Sequence, residues 1–181
     1  MRSVMLCATL AGALLTGTPG AAQRPVSLGL GGGVSIPSGQ FRDGADIGWH
    51  ALATIAVSTL MQPLGLRLDV AYNRFEFRDA PAALADENQW TGSATLNFTY
   101  RLPMTNSPMS PYLISGVGAY RSDCSLEPGC RAVTKYGWNV GLGFKLYVLG
   151  FRSFLEGRYH RTSRGEDDDV HYFPVTFGLM F

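Results

Sequence analysis

Charged side chains stand at alternate positions within several otherwise apolar stretches of the chain. Arg67 and Asp69 are two residues apart, and so are Glu156 and Arg158. Residues i and i+2 of an extended strand share one face, so such charges would lie together on the polar side of a sheet. Buried charges must be paired and hydrogen-bonded. The pattern predicts an ion-pair network made from Arg67, Asp69, Arg101, Lys145, Glu156 and Arg158. Which base meets which acid stays open.

Other residue types that could do chemistry are less well placed. His50, His160 and His171 fall near the same end of three predicted strands, where a cluster could bind a divalent metal. Scattered rim histidines are commoner, and the acidic run at 166–169 lacks the ligand spacing of a calcium loop. The glycines at 29–33 precede no helix, so they do not form a phosphate loop. We therefore expect no metal and no cofactor.

Eight stretches of period-two alternation must position these residues. Apolar side chains occupy one face, and small or polar side chains occupy the other, which is typical of a β-strand between two different environments. The facing of residues 111–121 stays open, because the two faces of this stretch differ little in hydrophobicity. The predicted strands are residues 26–36, 48–60, 64–77, 89–102, 111–121, 134–148, 151–162 and 171–181. Each is long enough to cross a bilayer, which takes roughly 9–11 tilted residues.

The N-terminus predicts export. Arg2 gives a short basic region, residues 4–15 form an uncharged apolar run, and small residues precede Gln23. This is the layout of a cleaved signal peptide over residues 1–22, and it leaves one domain at 23–181. Without Arg2, fourteen basic residues (fifteen minus one) balance fourteen acidic ones. A balanced charge gives no reason to expect nucleic-acid binding.

Two cysteines remain in the predicted mature chain. Cys124 and Cys130 flank a Pro-Gly turn, and such a pair in an exported chain favours a disulfide within one loop. Two cysteines alone make a poor zinc site, because structural zinc takes four ligands. We therefore predict a Cys124–Cys130 disulfide.

The connections and the aromatic residues predict a barrel in the outer membrane. Connections 61–63 and 149–150 are short and 103–110 is moderate, whereas 37–47, 78–88, 122–133 and 163–170 are longer and polar. Short periplasmic turns and long outer loops are the outer-membrane arrangement, so both termini are predicted to be periplasmic. A soluble sandwich would not place aromatic residues at both ends of its strands. The predicted outer girdle is Trp49, Trp90, Tyr120, Tyr136, Trp138, Tyr159 and Phe173, and the inner girdle is Tyr100, Tyr112, Tyr147, Phe151 and Phe181.

The last strand carries the most specific pattern. Its outward residues are Phe173, Val175, Phe177, Leu179 and Phe181. With the signal and the strand count, the chain resembles the small OmpA/OmpX-type outer-membrane β-barrels. That resemblance implies that these five residues are the assembly signal read by the barrel assembly machinery. Pro174 is a departure, since it removes one ladder donor. It predicts a bulge or the outer end of the strand, with regular pairing only after it.

The predicted fold is all-β, an eight-stranded antiparallel up-and-down transmembrane barrel. An interior of this size is filled by side chains. We predict a monomeric, non-enzymatic outer-membrane protein with a plugged lumen and a structural or surface-contact role, surrounded by outer-membrane lipid and lipopolysaccharide. One alternative is a narrow porin-like channel or small-ligand transporter. The other is a lipid A-modifying hydrolase, for which His160 and Ser163 would point to opposite faces and only Thr162 shares the face of His160.

Overall fold

The computed structural model describes residues 26–39, 41–58, 63–76, 88–103, 109–122, 133–148, 150–162 and 170–181. The predicted signal peptide, the predicted Cys124–Cys130 disulfide and the acidic run at 166–169 lie outside the described residues. No helix within the described ranges is long and apolar enough to cross a membrane.

Eight strands form one closed antiparallel barrel, as predicted, and their ends fall within two residues of the predicted ones. Each strand pairs with its neighbours in the sequence, and β1 pairs with β8 to close the ring. The strands are β1 Val26–Ser38, β2 Gly48–Ser58, β3 Leu64–Glu76, β4 Asn88–Arg101, β5 Ser110–Ser122, β6 Val133–Val148, β7 Phe151–Thr162 and β8 Val170–Met180. One helical turn, α1 Phe41–Gly44, lies between β1 and β2.

The two ends of the barrel differ in the length of their connections. Residues 59–63, 102–109 and 149–150 join strands at one end, here called the short-turn end, where Val26 and Phe181 also lie. Residues 39–47, 77–87, 123–132 and 163–169 join strands at the other, the long-loop end. Gly150 has a positive φ of 83°, which a tight turn between β6 and β7 requires and which glycine adopts without steric cost.

The burial pattern is the reverse of that in a soluble protein. On β3, Leu68 and Val70 are exposed, whereas Arg67 and Asp69 beside them are buried. The same inversion holds on β4, where Leu96 and Phe98 are exposed while Asn97 is fully buried. Soluble monomers rarely expose a continuous apolar surface of this kind. A barrel in lipid requires it, because apolar side chains face the acyl chains and polar side chains face the lumen.

Strand β5 settles the facing that the sequence left open. Tyr112, Ile114 and Tyr120 are buried in the lumen, while Leu113 and Val117 are exposed on the outside. The prediction that Tyr112 and Tyr120 belong to the outward aromatic girdles was therefore wrong. The physical reason is that each phenol finds a hydrogen-bond partner in the lumen, and the aliphatic residues suit the apolar exterior better.

Most other predicted girdle residues face outward. Trp49, Tyr72 and Trp90 follow one another across β2, β3 and β4 near the long-loop end, with ring centroids 5.8 and 6.0 Å apart. Tyr147 and Phe151 are exposed near the short-turn end.

Pro174 does not end the regular pairing. The β1–β8 ladder runs without a register change from Gly29↔Met180 to Ser38↔His171, through Ser35↔Pro174. On the other side, the β7–β8 pairs stop at Gly157↔Val175 and resume in the same register at His160↔Tyr172. The predictions of a bulge and of pairing only after Pro174 were wrong. The missing N–H interrupts one ladder locally, on the β7 side, and the β1 ladder holds the strand in place.

Candidate functional site in the barrel lumen

The lumen is crossed at mid-height by two pairs of charged residues on opposite walls. Arg67 and Asp69 point inward from β3, and Glu156 and Arg158 point inward from β7. In a closed ring of eight, β3 and β7 are four strands apart in either direction, so they face each other across the full diameter. All four side chains are buried.

These four residues form a closed ring of charge-assisted hydrogen bonds, here called the central network. The Arg67 guanidinium donates from Nη1 and Nη2 to the two carboxylate oxygens of Glu156, each at 2.9 Å. Its Nε donates to Asp69 Oδ1 at 2.9 Å. Arg158 completes the ring by donating from Nη2 to Asp69 Oδ2 at 2.6 Å and from Nε to Glu156 Oε1. Each carboxylate is thereby held by both arginines.

The order of the charges along the two strands makes this ring possible. Strands β3 and β7 run in the same direction, because odd-numbered strands of an up-and-down barrel are parallel to one another. The base comes first on β3 and the acid comes first on β7. Arg67 therefore meets Glu156 on one level, and Asp69 meets Arg158 on the next. Two cations and two anions compensate each other in a site that water barely reaches, as buried charges require.

Polar residues from three more strands complete the network. Tyr112 on β5 donates its hydroxyl to Glu156 Oε2 at 2.6 Å. Asn97 on β4 donates to Asp69 Oδ2 at 3.0 Å and accepts from Asn139 Nδ2 on β6 at 2.9 Å. Five strands, β3 to β7, thus contribute to one connected cluster, and the additional hydrogen bonds occupy the remaining lone pairs of the carboxylates.

Two predicted members of the network lie elsewhere. Arg101 is the last residue of β4 and Lys145 lies near the end of β6, so both are at the short-turn end, and both are exposed. Lys145 Nζ lies 5.7 Å from the centroid of the Tyr112 ring. Of the six predicted residues, the structure brings four together, and Arg101 and Lys145 belong to the rim.

The space left in the lumen is divided by the central network. A cavity of about 20 Å³ lies on its long-loop side, beside His50, His160 and Tyr172. A cavity of about 60 Å³ lies on its short-turn side, beside Tyr112, Phe154 and Lys145. A water molecule needs roughly 10–15 Å³ of such space, so the two cavities hold about one water and a few waters respectively. Arg67 borders one cavity, and Arg158 and Asp69 border the other.

An aromatic cluster covers the lumen at the long-loop end. Phe75 on β3 packs edge-on against Tyr172 on β8, with ring centroids 5.7 Å apart, and Tyr120 and Val170 belong to the same buried cluster. Phe41 from α1 packs on Phe75 from above at 5.1 Å. The single turn of helix therefore seats an apolar side chain on top of the barrel.

The three histidines do not converge. His50 lies in the lumen with its ring nitrogens 3.1 Å from Ser35 Oγ and 2.8 Å from Thr176 Oγ1. His160 also lies in the lumen, 3.0 Å from Tyr120 Oη and stacked on Tyr172. His171 is on the outside, where Nδ1 contacts the hydroxyl of Tyr159. Within the described part of the chain, no group of three His, Cys, Asp or Glu side chains could hold a metal ion. Of the residues named for a lipid A hydrolase, His160 and Thr162 are buried in the barrel, and Ser163 lies outside the described residues.

Sequence reasoning missed Tyr112, Asn97 and Asn139 as members of the network. A glycine could have revealed the tyrosine: a Cβ on Gly143 of β6 would lie 2.5 Å from the Tyr112 ring, so only glycine permits the phenol to cross its neighbour strand. The two asparagines carry no comparable signal, because an inward amide on a barrel strand looks like any other polar lumen residue.

Comparison with known proteins supports the architecture. The sequence matches the family described as the outer membrane protein beta-barrel domain over residues 7–181. Neisserial surface protein A has a similar structure, with a TM-score of 0.63 and 18% identity over 87% of this chain and 96% of that one. Ail, the attachment invasion locus protein of Yersinia pestis, has a TM-score of 0.53 and 18% identity, over 86% of this chain and 97% of that one. The N-terminal barrel domain of Pseudomonas aeruginosa OprF has a TM-score of 0.52 and 14% identity, over 86% of this chain and 97% of that one. No curated protein matches the chain.

Proposed function

Because the chain belongs to the outer membrane protein beta-barrel domain family, we propose that it is a non-enzymatic scaffold of the outer membrane whose lumen is plugged by its own side chains. It is an integral outer-membrane protein, and its short-turn end is the periplasmic end. The observation that carries the plug is the central network, which joins opposite walls at mid-height.

The charges of the plug favour a closed lumen over a conducting one. An ion on the barrel axis would have to separate Arg67 from Glu156 or Arg158 from Asp69, and each separation leaves buried charges without partners. Breaking a buried pair in this way is strongly unfavourable. The aromatic cluster at the long-loop end adds a second obstacle made of rings instead of charges. A transported solute would have to displace both layers.

The role that remains is support of the envelope or contact at the cell surface. A rigid barrel surrounded by outer-membrane lipid and lipopolysaccharide would present its four long connections outside the cell. Contact by these connections is in keeping with the name of the structurally similar Ail, the attachment invasion locus protein. The barrel would act as a monomer, and its last strand would be recognised by the barrel assembly machinery.

A planar-bilayer recording tests the plug. The refolded protein is expected to show little or no conductance. A variant with Arg67, Asp69, Glu156 and Arg158 replaced by serine, and with Phe75 and Tyr172 of the aromatic cluster replaced by alanine, is expected to conduct, because both obstacles on the axis are then removed. Heat-modifiable migration on a gel verifies that each variant has formed a barrel before it is recorded. Large, stable channels from the unmodified protein would contradict the plug.

Mass spectrometry of lipid A tests the absence of enzymatic activity. Cells with the intact gene and cells that lack it are expected to give the same lipid A masses. A mass difference that disappears when His160 is replaced by alanine would contradict a non-enzymatic role and favour a hydrolase.

A further inference from the structure

Three cations gather at the short-turn end of the lumen. Arg101 ends β4, Lys145 lies near the end of β6, and Arg152 lies at the start of β7. All three carry a positive charge, so they repel one another electrostatically. Among the described residues, the three rim cations have no acidic side chain within salt-bridge distance.

The carboxylates of Asp69 and Glu156 in the lumen already accept hydrogen bonds from the central network. Glu156 accepts hydrogen bonds from Arg67, Arg158 and Tyr112, and Asp69 accepts from Arg67, Arg158 and Asn97. The central network is therefore neutral, and within the described ranges the positive charges of the rim have no acidic side chain beside them. Like charges brought together in this way cost free energy unless a counter-ion joins them.

A cavity lies beside two of these three cations. Arg101 and Lys145 line it, and its floor is formed by Arg67, Tyr112 and Phe154. The Arg67 guanidinium lies 5.4 Å from the centroid of the Phe154 ring. Thr99 adds a hydroxyl to the wall. The cavity volume of about 60 Å³ is of a size that suits a small oxyanion.

The cavity also reaches the lipid-facing wall. Val57 and Leu64, whose side chains are exposed on the outside of the barrel, belong to its lining beside Pro63 in the β2–β3 turn. A group that enters from this side could leave its acyl chains on the apolar wall. The rim lies at the level where the bilayer changes from hydrocarbon to headgroups, because the exposed ring of Tyr147 marks the interface nearby.

We propose that this rim is a binding site for a phosphate oxyanion, held by the Arg101 guanidinium and the Lys145 ammonium with Arg152 at its edge. Guanidinium and ammonium groups bind phosphate oxygens through charge-assisted hydrogen bonds. The phosphate belongs either to the headgroup of an anionic phospholipid in the inner leaflet or to free inorganic phosphate. Binding would neutralise the rim without disturbing the central network.

Titrations in a phosphate-free detergent test the site. The unmodified barrel is titrated with inorganic phosphate and, separately, with short-chain phosphatidylglycerol, while NMR follows the backbone amides of Thr99, Arg101 and Lys145. Saturable shifts at these amides are expected with at least one of the two probes. Shifts with phosphate identify the free anion, and shifts with the lipid alone identify the headgroup. No saturable shift with either probe would overturn the proposal.

A matched pair of variants makes the test specific. Replacing Arg101 and Lys145 by glutamine is expected to weaken binding at least about tenfold, since one charge-assisted hydrogen bond is worth about that factor. The control variant R42Q/R121Q removes the same charge at the long-loop end, where both arginines are exposed, and should bind as the unmodified protein does. An equal loss in both variants would show attraction to net charge alone and would also overturn the site. Conductance does not depend on the rim, so this result is independent of the plug.

Discussion

At the scale of single residues, the position of each charge along its strand matters more than the number of charges. Arg67 and Asp69 on β3 have the opposite order to Glu156 and Arg158 on β7, and this order alone puts unlike charges on the same level. If the two charges exchanged places on one strand, the composition would stay the same and the network would be lost. The plug of the lumen therefore depends on the order of four charged side chains along two strands. Each strand places its own pair on the inward face, and the opposite wall supplies the partners of unlike charge.

Reversing the order on one strand tests this directly. The double variant Arg67→Asp with Asp69→Arg should lose at least about 3 kcal/mol of unfolding free energy, because like charges would then meet across the lumen. Denaturant unfolding of the barrel in lipid vesicles, followed by tryptophan fluorescence, measures the change. Tryptophans 49, 90 and 138 lie on the outside and are left unchanged.

Reversing both strands supplies the control for that experiment. Adding Glu156→Arg and Arg158→Glu to the first pair restores unlike charges on each level with the same composition, and most of the lost stability should return. If the single reversal is as stable as the unmodified protein, the central network does not hold the walls together.

At the scale of elements, the seam between β1 and β8 closes the barrel. Its ladder extends from Gly29↔Met180 to Ser38↔His171, and Phe181 lengthens it by exchanging two backbone hydrogen bonds with Leu28, at 2.7 and 3.2 Å. Pro174 weakens the β7 side of β8 for two residues. Near Pro174, β8 is therefore held by its ladder with β1, the strand at the other end of the sequence.

Deleting Phe181 separates assembly from stability. Only two backbone hydrogen bonds out of a long seam are lost, so a barrel refolded in vitro should be destabilised by no more than about 3 kcal/mol. If Phe181 belongs to the assembly signal, the amount of protein in the outer-membrane fraction of cells should fall severely. Cell fractionation and denaturant unfolding measure the two effects.

The variant Phe181→Tyr serves as the control, since it keeps a terminal aromatic ring and the same backbone. It should assemble and unfold like the unmodified protein. Normal assembly of the deletion variant would contradict the role of Phe181 as a signal.

At the scale of the whole molecule, ring closure removes every free strand edge. All eight strands are paired on both sides, which is what a sheet in hydrocarbon requires, because no water is present to satisfy an open edge. The interior is layered from the aromatic cluster through the central network to the cationic rim. These layers connect walls that are far apart in the sequence.

A closed barrel of this kind should resist detergent. Without boiling, the protein in sodium dodecyl sulfate is expected to migrate as a compact species, and boiling should shift it to the mobility of an unfolded chain, because opening requires a whole ladder to break at once. A variant that lacks residues 170–181 cannot close the ring, so its mobility should not change on boiling. Failure of the intact protein to shift would contradict a closed barrel.

The sequence by itself determined the strands, their number and most of their facing. Alternation is a local property: Leu68 and Asp69 point to opposite faces in any extended strand, and seven strands contrast strongly enough to show which side meets lipid. Strand β5 does not show this, because its two faces differ little in hydrophobicity. Tyr112 and Tyr120 could therefore be assigned only once their partners, Glu156 and His160, were in place.

Only the tertiary structure decided which charges meet and which remain at the rim. The contact between Arg67 and Glu156 joins residues 89 positions apart, and it exists because ring closure puts β3 opposite β7. Height along the barrel separated Arg101 and Lys145 from that contact, although they share its inward face. The facing of a strand residue depends on the two residues beside it, whereas its level and its partner depend on the register of every ladder around the ring.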